Sequence, residues 1–510
     1  MVRKKSDNRV SFSRRKVLRL LGVGAAGALI PDVSQAAPGP PQPRRGDVSI
    51  VGAGMAGLAA ARTLRRSGKK VVVLEARDRV GGRVKAGQLA GHTIDLGGMW
   101  VGPSQTRLLD LLREYHIATM RQYLAGKGIV DFAGRKVTPD GEEFGFDAET
   151  QADYGRMLAK LNALVEQVPP DAPWAAPHAE ELDDITMEQW LRENVHNDTL
   201  IRVMNSEVRG LLTAEAWQVS LLYFLFYCRS GNSFEELAKY DNGAQMYLVP
   251  ESMHQVAAAM GNELGDSLVL EAPVTSISQD SAGVSVVSEK GTWHSAHAIV
   301  ALPLPLSSRI RYQPPLPPGR EALTEQMPMG SVIKYWVAYE KPFWREHGMN
   351  GLLFTDTPPS SFLSEASPPE GKPGFLVGFI DGRRALQWSG HPMEERKKMA
   401  VDLIVKYFGP QGAKPIDYID QDWPADPWSR GCYGPSMGPG VLTTIGAALR
   451  ARFGRIHWAG TETSPIWTGY IEGAVRSGER AAAEIVAAAK QSPGRTIESS
   501  LRGISYHHPE

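Results

Sequence analysis

Three glycines at fixed spacing make the first chemical statement of the sequence. Gly52, Gly54 and Gly57 form a G-x-G-x-x-G turn directly after the apolar run Asp47–Val51. Leu58 to Ser67 follows with helical spacing, and Lys69 to Leu74 then reads as a second strand that ends on Glu75. Each part has a reason. Gly52 permits a tight turn, Gly54 lets the backbone approach a pyrophosphate, and Gly57 lets the helix lie close on the strand. The helix N-terminus, beginning at Met55 and Ala56, offers unpaired N–H groups and positive potential to phosphate. Glu75 can accept both hydroxyls of a ribose. The unit predicts a bound dinucleotide and does not by itself separate NAD from FAD.

A second anomaly is Lys334. The stretch Ser331–Tyr339 reads as a strand on which Lys334 shares a face with Val332, Trp336 and Ala338, while the other face is also apolar. A buried lysine is costly unless paired or hydrogen-bonded; the alternative is a lysine snorkelling from a strand edge. Near the C-terminus, Asp422-Trp423 and Trp428–Tyr433 precede Ile456–Ser464 and Trp467–Val475. A helix is expected from Tyr470 to about Ala489, with Val475, Ala482, Ile485, Val486 and Ala489 as its apolar side.

Two further stretches, Arg77-Asp78-Arg79-Val80-Gly81-Gly82-Arg83 and Asp95-Leu96-Gly97-Gly98-Met99-Trp100-Val101-Gly102-Pro103, carry a resemblance. With the C-terminal cluster they make the chain similar, over residues 47 to about 489, to the flavin-containing amine oxidases, and most to the monoamine oxidase branch. The resemblance implies FAD. It implies cofactor contacts from Gly52, Gly54, Met55, Ala56, Gly57, Glu75, Ala76, Arg77, Gly82, Arg83, Gly98, Met99, Trp100, Trp423, Glu462 and Ile471, and an adenine contact from the backbone of Val274. Lys334 corresponds to the lysine that holds a water at the flavin and helps it meet oxygen. Tyr433 and Tyr470 correspond to the two tyrosines of an aromatic cage, able to steer an amine. Gln245, in Asn242-Gly243-Ala244-Gln245, corresponds to a glutamine facing substrate. Cys432 corresponds to the cysteine that binds the flavin covalently in the mitochondrial enzymes; its alternative is a small buried hydrophobe. The local sequence departs from the mitochondrial pattern, with Arg430 before the glycine and Gly434-Pro435 after Tyr433.

The implied reaction is oxidative deamination of a primary amine, aromatic ones included, to an aldehyde, with O2 reduced to H2O2 and no side chain required as general base. Three alternatives stay open: an oxidase for polyamines, L-amino acids or cyclic alkaloid amines; a dehydrogenase that passes electrons to a carrier protein; and a flavin-binding module without catalysis. An amino acid oxidase wants an arginine for the carboxylate and a polyamine oxidase wants acids, and Arg209, Arg229 and Glu207 are candidates that sequence alone does not dismiss.

These residues need elements to position them. The expected class is α/β with two domains: a Rossmann-type FAD-binding domain from residues 47–125, 240–322 and 424–489, and an interleaved substrate domain of mixed sheet and helices from 126–239 and 323–423. Expected strands are Leu268–Leu270, Val274–Ile277, Val284–Val287 and Ala298–Val300; expected helices are Gln151–Val168 and Met187–Val195. Leu221–Tyr227 reads as a helix of a core or of a pocket wall. With 42% hydrophobic and 22% charged residues the composition is globular, and 56 basic against 56 acidic residues gives no field for nucleic acid. Two cysteines, Cys228 and Cys432, make no disulfide framework, and no spacing suits a metal. Arg14-Arg15, the Gly/Ala-rich run Leu20–Ile30 and Ser34-Gln35-Ala36 resemble a twin-arginine export signal over residues 1–36, implying passage through that machinery to the periplasm or medium. Residues 37–46 read as a stiff linker and 490–510 as a polar tail with no membrane anchor, and a homodimer is left open as the assembly.

Overall fold

The computed structural model describes residues 44–490. The expected export signal, nearly all of the linker and the polar tail lie outside these residues. The first strand, Arg44–Val51, begins three residues before Asp47, so Arg44, Arg45 and Gly46 belong to the sheet rather than to a linker. They pair with Trp293, His294 and Ser295 of the strand Gly291–Val300. That neighbour is also longer than Ala298–Val300, because Trp293 and Ser295 turn inward from a stretch whose polar composition resembles a loop.

The first sheet has eight strands. Its order is Leu268–Val269, Val71–Leu74, Arg44–Val51, Gly291–Val300, Val284–Ser288, Val274–Gln279 and Arg311–Gln313, with Ile456–Trp458 joined to the end of Gly291–Val300. The strands flanking Arg44–Val51 run parallel to it, as β-α-β connections require. The helix Met55–Arg66 packs on the long helix Ile471–Lys490. Their approach is set by Gly478, where a Cβ would lie 2.1 Å from the Ala56 carbonyl oxygen.

The second sheet has seven strands in the order Asp417–Asp422, Val332–Tyr339, Gly374–Asp381, Ser360–Glu365, Met349–Thr355, Lys127–Phe132 and Arg135–Val137. It is antiparallel except where Met349–Thr355 runs alongside Lys127–Phe132. Val332–Tyr339 and Gly374–Asp381 are buried at every position, which is why neither shows an in-out alternation.

A helical layer fills much of residues 148–238. Ala148–Gln167 starts where the Asp147 carboxylate accepts from the Thr150 N–H, and Met187–Asn194 where the Thr186 hydroxyl accepts from that of Gln189. Leu221–Ser230 is buried at nine of its ten positions. No described helix is long and apolar enough to cross a membrane.

Candidate active site

One cavity of about 310 Å3 runs from the glycine turn to the helical layer. At the turn, Gly52 adopts φ +100° and a Cβ there would meet the Ala301 carbonyl at 2.7 Å. Gly54 and Gly82 face each other, so that a Cβ on Gly82 would come within 3.2 Å of the Gly54 Cα. Gly54 has no side chain to cap the helix it precedes, which leaves its first N–H groups available to a ligand. The Glu75 carboxylate is fixed by the N–H groups of Ala53 at 2.7 Å and Arg77 at 3.0 Å. Ala76, Val274, Gly98 and Ile471 continue the same wall. This is a cradle of bare backbone with a carboxylate at one end, and it fits FAD.

Two of the arginines on the wall, Arg77 and Arg83, are already engaged beside the cradle. Arg77 Nη2 donates to Asp426 at 2.7 Å and Ser429 at 2.8 Å, and Arg83 Nη1 donates to the Tyr433 carbonyl at 2.6 Å. They tie the segment 426–433 to the cradle. Three expected cofactor contacts do not reach the cavity. Gly57 lies beneath the turn, where a Cβ would sit 1.9 Å from the Gly52 carbonyl, which is the close packing its motif position requires. The Trp423 indole donates to the Leu96 carbonyl at 3.1 Å inside a hydrophobic core. Glu462 is buried behind Gly460, with its carboxylate 3.8 Å from Arg83. Motif membership brought these three near the site, but their side chains support its wall from behind.

Lys334 is 3% exposed and lies in a strand paired on both sides, so it does not snorkel from an edge. Its Nζ donates to the Gly97 carbonyl at 2.8 Å and contacts the Met99 sulfur at 2.9 Å. The rings of Trp336, Phe379 and Trp100 stand 5.4–5.9 Å from it. Burial pushes this amine well below the ordinary lysine range, and the charge of Asp95 opposes the shift. Asp95 is itself pushed up by burial and held by the Ser252 hydroxyl and the Met253 N–H.

Cys432 and Tyr433 follow Gly431, whose φ of +145° few other residues adopt. Thr213 Oγ1 lies 2.6 Å from the Cys432 carbonyl and accepts from the Tyr433 N–H at 3.1 Å. Cys432 lines the cavity, and burial pushes its thiol up to about 12 against the pull of Arg83 and Lys334, so it is neutral. Tyr433 packs edge-on against Phe379, and Tyr470 is wedged between Trp467 at 4.8 Å and Tyr227 at 6.1 Å. Both cage tyrosines are half-buried on the cavity wall. Gln245 Nε2 donates to the Leu237 carbonyl at 3.0 Å, and its buried oxygen on the same wall has no partner.

The wall beyond the tyrosines holds residues with no motif. Tyr227 comes from the apolar helix, which is therefore core on most faces and cavity wall at one position. Ser206, Glu207, Gly210 and Leu211 reach the wall from Asp198–Leu212, at a helical spacing visible once the cavity is known. Tyr240, Phe362, Phe379 and Asp381 also line it. Arg209 does not line the cavity: it is buried in ion pairs with Asp381 at 3.0 Å and Glu215 at 3.4 Å. Arg229 is also absent from the wall.

A glycine cradle with a ribose-fixing carboxylate, joined in one cavity to a buried lysine and two tyrosines, defines a flavoenzyme that handles amines. The sequence profile of the family described as flavin containing amine oxidoreductase matches residues 55–486. A protein of Mycobacterium tuberculosis named as a flavin-containing monoamine oxidase is 38% identical over 448 residues, covering 86% of this chain and 96% of that protein. A solved structure of putrescine oxidase bound to putrescine superposes with a TM-score of 0.84 at 33% identity, covering 87% of this chain and 99% of that one. Cyclohexylamine oxidase from Brevibacterium oxydans gives 0.83 at 34% identity, with the same coverage. The chain belongs to the flavin-containing amine oxidoreductase family. It is an amine oxidase, and its cofactor is FAD.

Proposed function

We propose that the chain oxidises a primary amine to an aldehyde, with O2 as acceptor and H2O2 as second product. The observation that carries this reading is the pair of half-buried tyrosines, Tyr433 and Tyr470, in one cavity with the buried Lys334. Similarity to oxidases of putrescine and cyclohexylamine, both primary amines, supports it. Bound in the cradle, FAD supplies the acceptor for two electrons from the carbon beside the amine and returns them to oxygen.

The side chains do the rest. The two rings present electron-rich faces that orient an amine, and the apolar wall disfavours its protonated form, so it enters neutral. Loss of two electrons and a proton from the α-carbon, with loss of the amine proton, leaves an imine that water hydrolyses to aldehyde and ammonia. Lys334 keeps a polar, proton-bearing group where oxygen must collect two electrons and two protons. No carboxylate or imidazole is needed at the α-carbon, because the neutral nitrogen lone pair drives the loss. Cys432 is a neutral thiol on the cavity wall, and a thioether from it to the flavin belongs to this reading, as does export by the twin-arginine route.

Purified protein incubated with a panel of primary amines should produce peroxide in step with oxygen uptake. Reduction of an artificial acceptor without peroxide would replace the oxidase by a dehydrogenase. After acid precipitation the yellow colour should stay with the Cys432 peptide and be released by Cys432→Ala; free FAD from the native protein would refute the covalent bond alone.

A further inference from the structure

The cavity wall carries a carboxylate that the reaction above does not use. Glu207 projects from the helix Asp198–Leu212 together with Ser206, Gly210 and Leu211. No lysine, arginine or hydrogen-bond donor pairs with it among the described residues. The neighbours that feel its charge are Tyr154 and Tyr240, and the charge it feels is a second carboxylate, Glu142. Glu142 itself accepts from the N–H groups of Tyr240 at 2.7 Å and Asp241 at 3.0 Å. The contrast with Arg209, two residues along the same helix, is direct: Arg209 is matched by Asp381 and Glu215 within the protein. Of the ionisable residues on this helix face, Glu207 alone is turned to the cavity and unmatched.

A half-buried carboxylate with no partner on a largely apolar cavity wall gives up part of its hydration, and the protein replaces none of what is lost. Burial accordingly pushes Glu207 up to about 7, with Glu142 adding to the effect. A cationic ligand group would supply the missing partner. An amine is the substrate class of this cavity, and the reacting nitrogen belongs at Tyr433 and Tyr470, so the group at Glu207 must be a second nitrogen on the same molecule.

Resting on the oxidase reading, we infer that Glu207 is the anchor for a distal ammonium, and that the preferred substrates are α,ω-diamines or longer polyamines rather than simple monoamines. The reacting amine is neutral between the tyrosines while the distal one is protonated on Glu207. The aromatic rings of Tyr240 and Phe362, on the same wall, suit the methylene chain between them.

The test compares putrescine and cadaverine with n-butylamine and n-pentylamine on the flavin-loaded protein, following anaerobic bleaching of the flavin and peroxide formation. The native protein should favour the diamine in kcat/KM by roughly ten- to a hundred-fold, the range of a hydrogen bond to a charged group. Glu207→Gln should bring that ratio close to one, and Glu207→Asp should retain part of it. Retained flavin absorbance reports that each variant is folded, and the native comparison stands without any variant. A native ratio near one, or a ratio unchanged in Glu207→Gln, overturns the inference while monoamine turnover preserves the oxidase reading. If no amine bleaches the flavin, the oxidase reading fails and the inference falls with it.

Discussion

At the scale of single residues, the site depends on charges held where water does not reach. Lys334 is surrounded by the Gly97 carbonyl, the Met99 sulfur and three aromatic rings, and Cys432 and Asp95 are the ionisable groups that act on it. Burial favours its neutral form and Asp95 favours its charged form. Asp95→Asn removes the second influence, so the amine must fall further below its ordinary value. If protonated Lys334 assists reoxidation, the pH above which the reoxidation rate declines should move down by roughly one unit. Stopped-flow mixing of reduced enzyme with oxygen over a pH series measures this directly. An unmoved limb would mean that Asp95 holds the turn at Ser252 and Met253 and does nothing for the lysine.

Lys334 stood out in the sequence because both faces of its strand are apolar, a property of nine consecutive residues, but the residues alone left burial and snorkelling open and the family resemblance decided between them. Glu207 was named only as one of three charged candidates beside Arg209 and Arg229, because its lack of a partner depends on residues 142, 154 and 240, which only the fold brings close. Trp423 and Glu462 show the converse. Their motifs located the right region, but whether a side chain faces the cavity or the layer behind it depends on contacts such as that of Trp423 with Leu96, 327 residues earlier in sequence.

At the scale of elements, the β-α-β unit was readable in full, since turn, helix and both strands lie within one continuous stretch. The helix Ile471–Lys490 was readable as a helix, but its partner was not. It packs on Met55–Arg66, and the contact depends on Gly478 approaching Ala56 and the N–H of Ala60. Met55 and Ala56 are wall residues of the cradle, so the packing of these helices sets the cradle's shape. Gly478→Ala forces a methyl to within 2.1 Å of the Ala56 carbonyl, and the helices must part. The expected cost is roughly 1–3 kcal/mol, the usual penalty for overpacking, although alanine is the better helix former. A lower Tm together with weaker flavin retention during gel filtration is the expected outcome. A Tm equal to or above that of the native protein would show that the helix pair is not tightly held there.

At the scale of the molecule, the cavity draws on all three layers: the cradle on the first sheet, Lys334, Phe379 and Asp381 on the second, and Glu207, Leu211 and Tyr227 on the helices. The helical layer is joined to the second sheet by the buried Arg209, which links its own helix to Asp381 at the end of Gly374–Asp381 and to Glu215 in the following turn. Three charges buried together are stable only as a set, because each carboxylate has lost the water that would otherwise surround it. Asp381 already lies above its ordinary value through burial, with Arg209 as the first influence holding it down. Arg209→Met keeps the volume but removes the cation shared by Asp381 and Glu215, leaving Asp381 with the Ser361 hydroxyl and Glu215 with the Arg383 N–H, at a cost of roughly 3–5 kcal/mol. The loss should deepen as pH rises, since a carboxyl with a raised folded value binds its proton more tightly in the folded state than in the unfolded one. Denaturant unfolding of native and Arg209→Met protein at acidic and at alkaline pH measures both the cost and its direction. A penalty that is small, or that shrinks toward alkaline pH, would mean that the helical layer is held to the sheet by its apolar contacts alone, and that Arg209 is present only to neutralise a cavity acid.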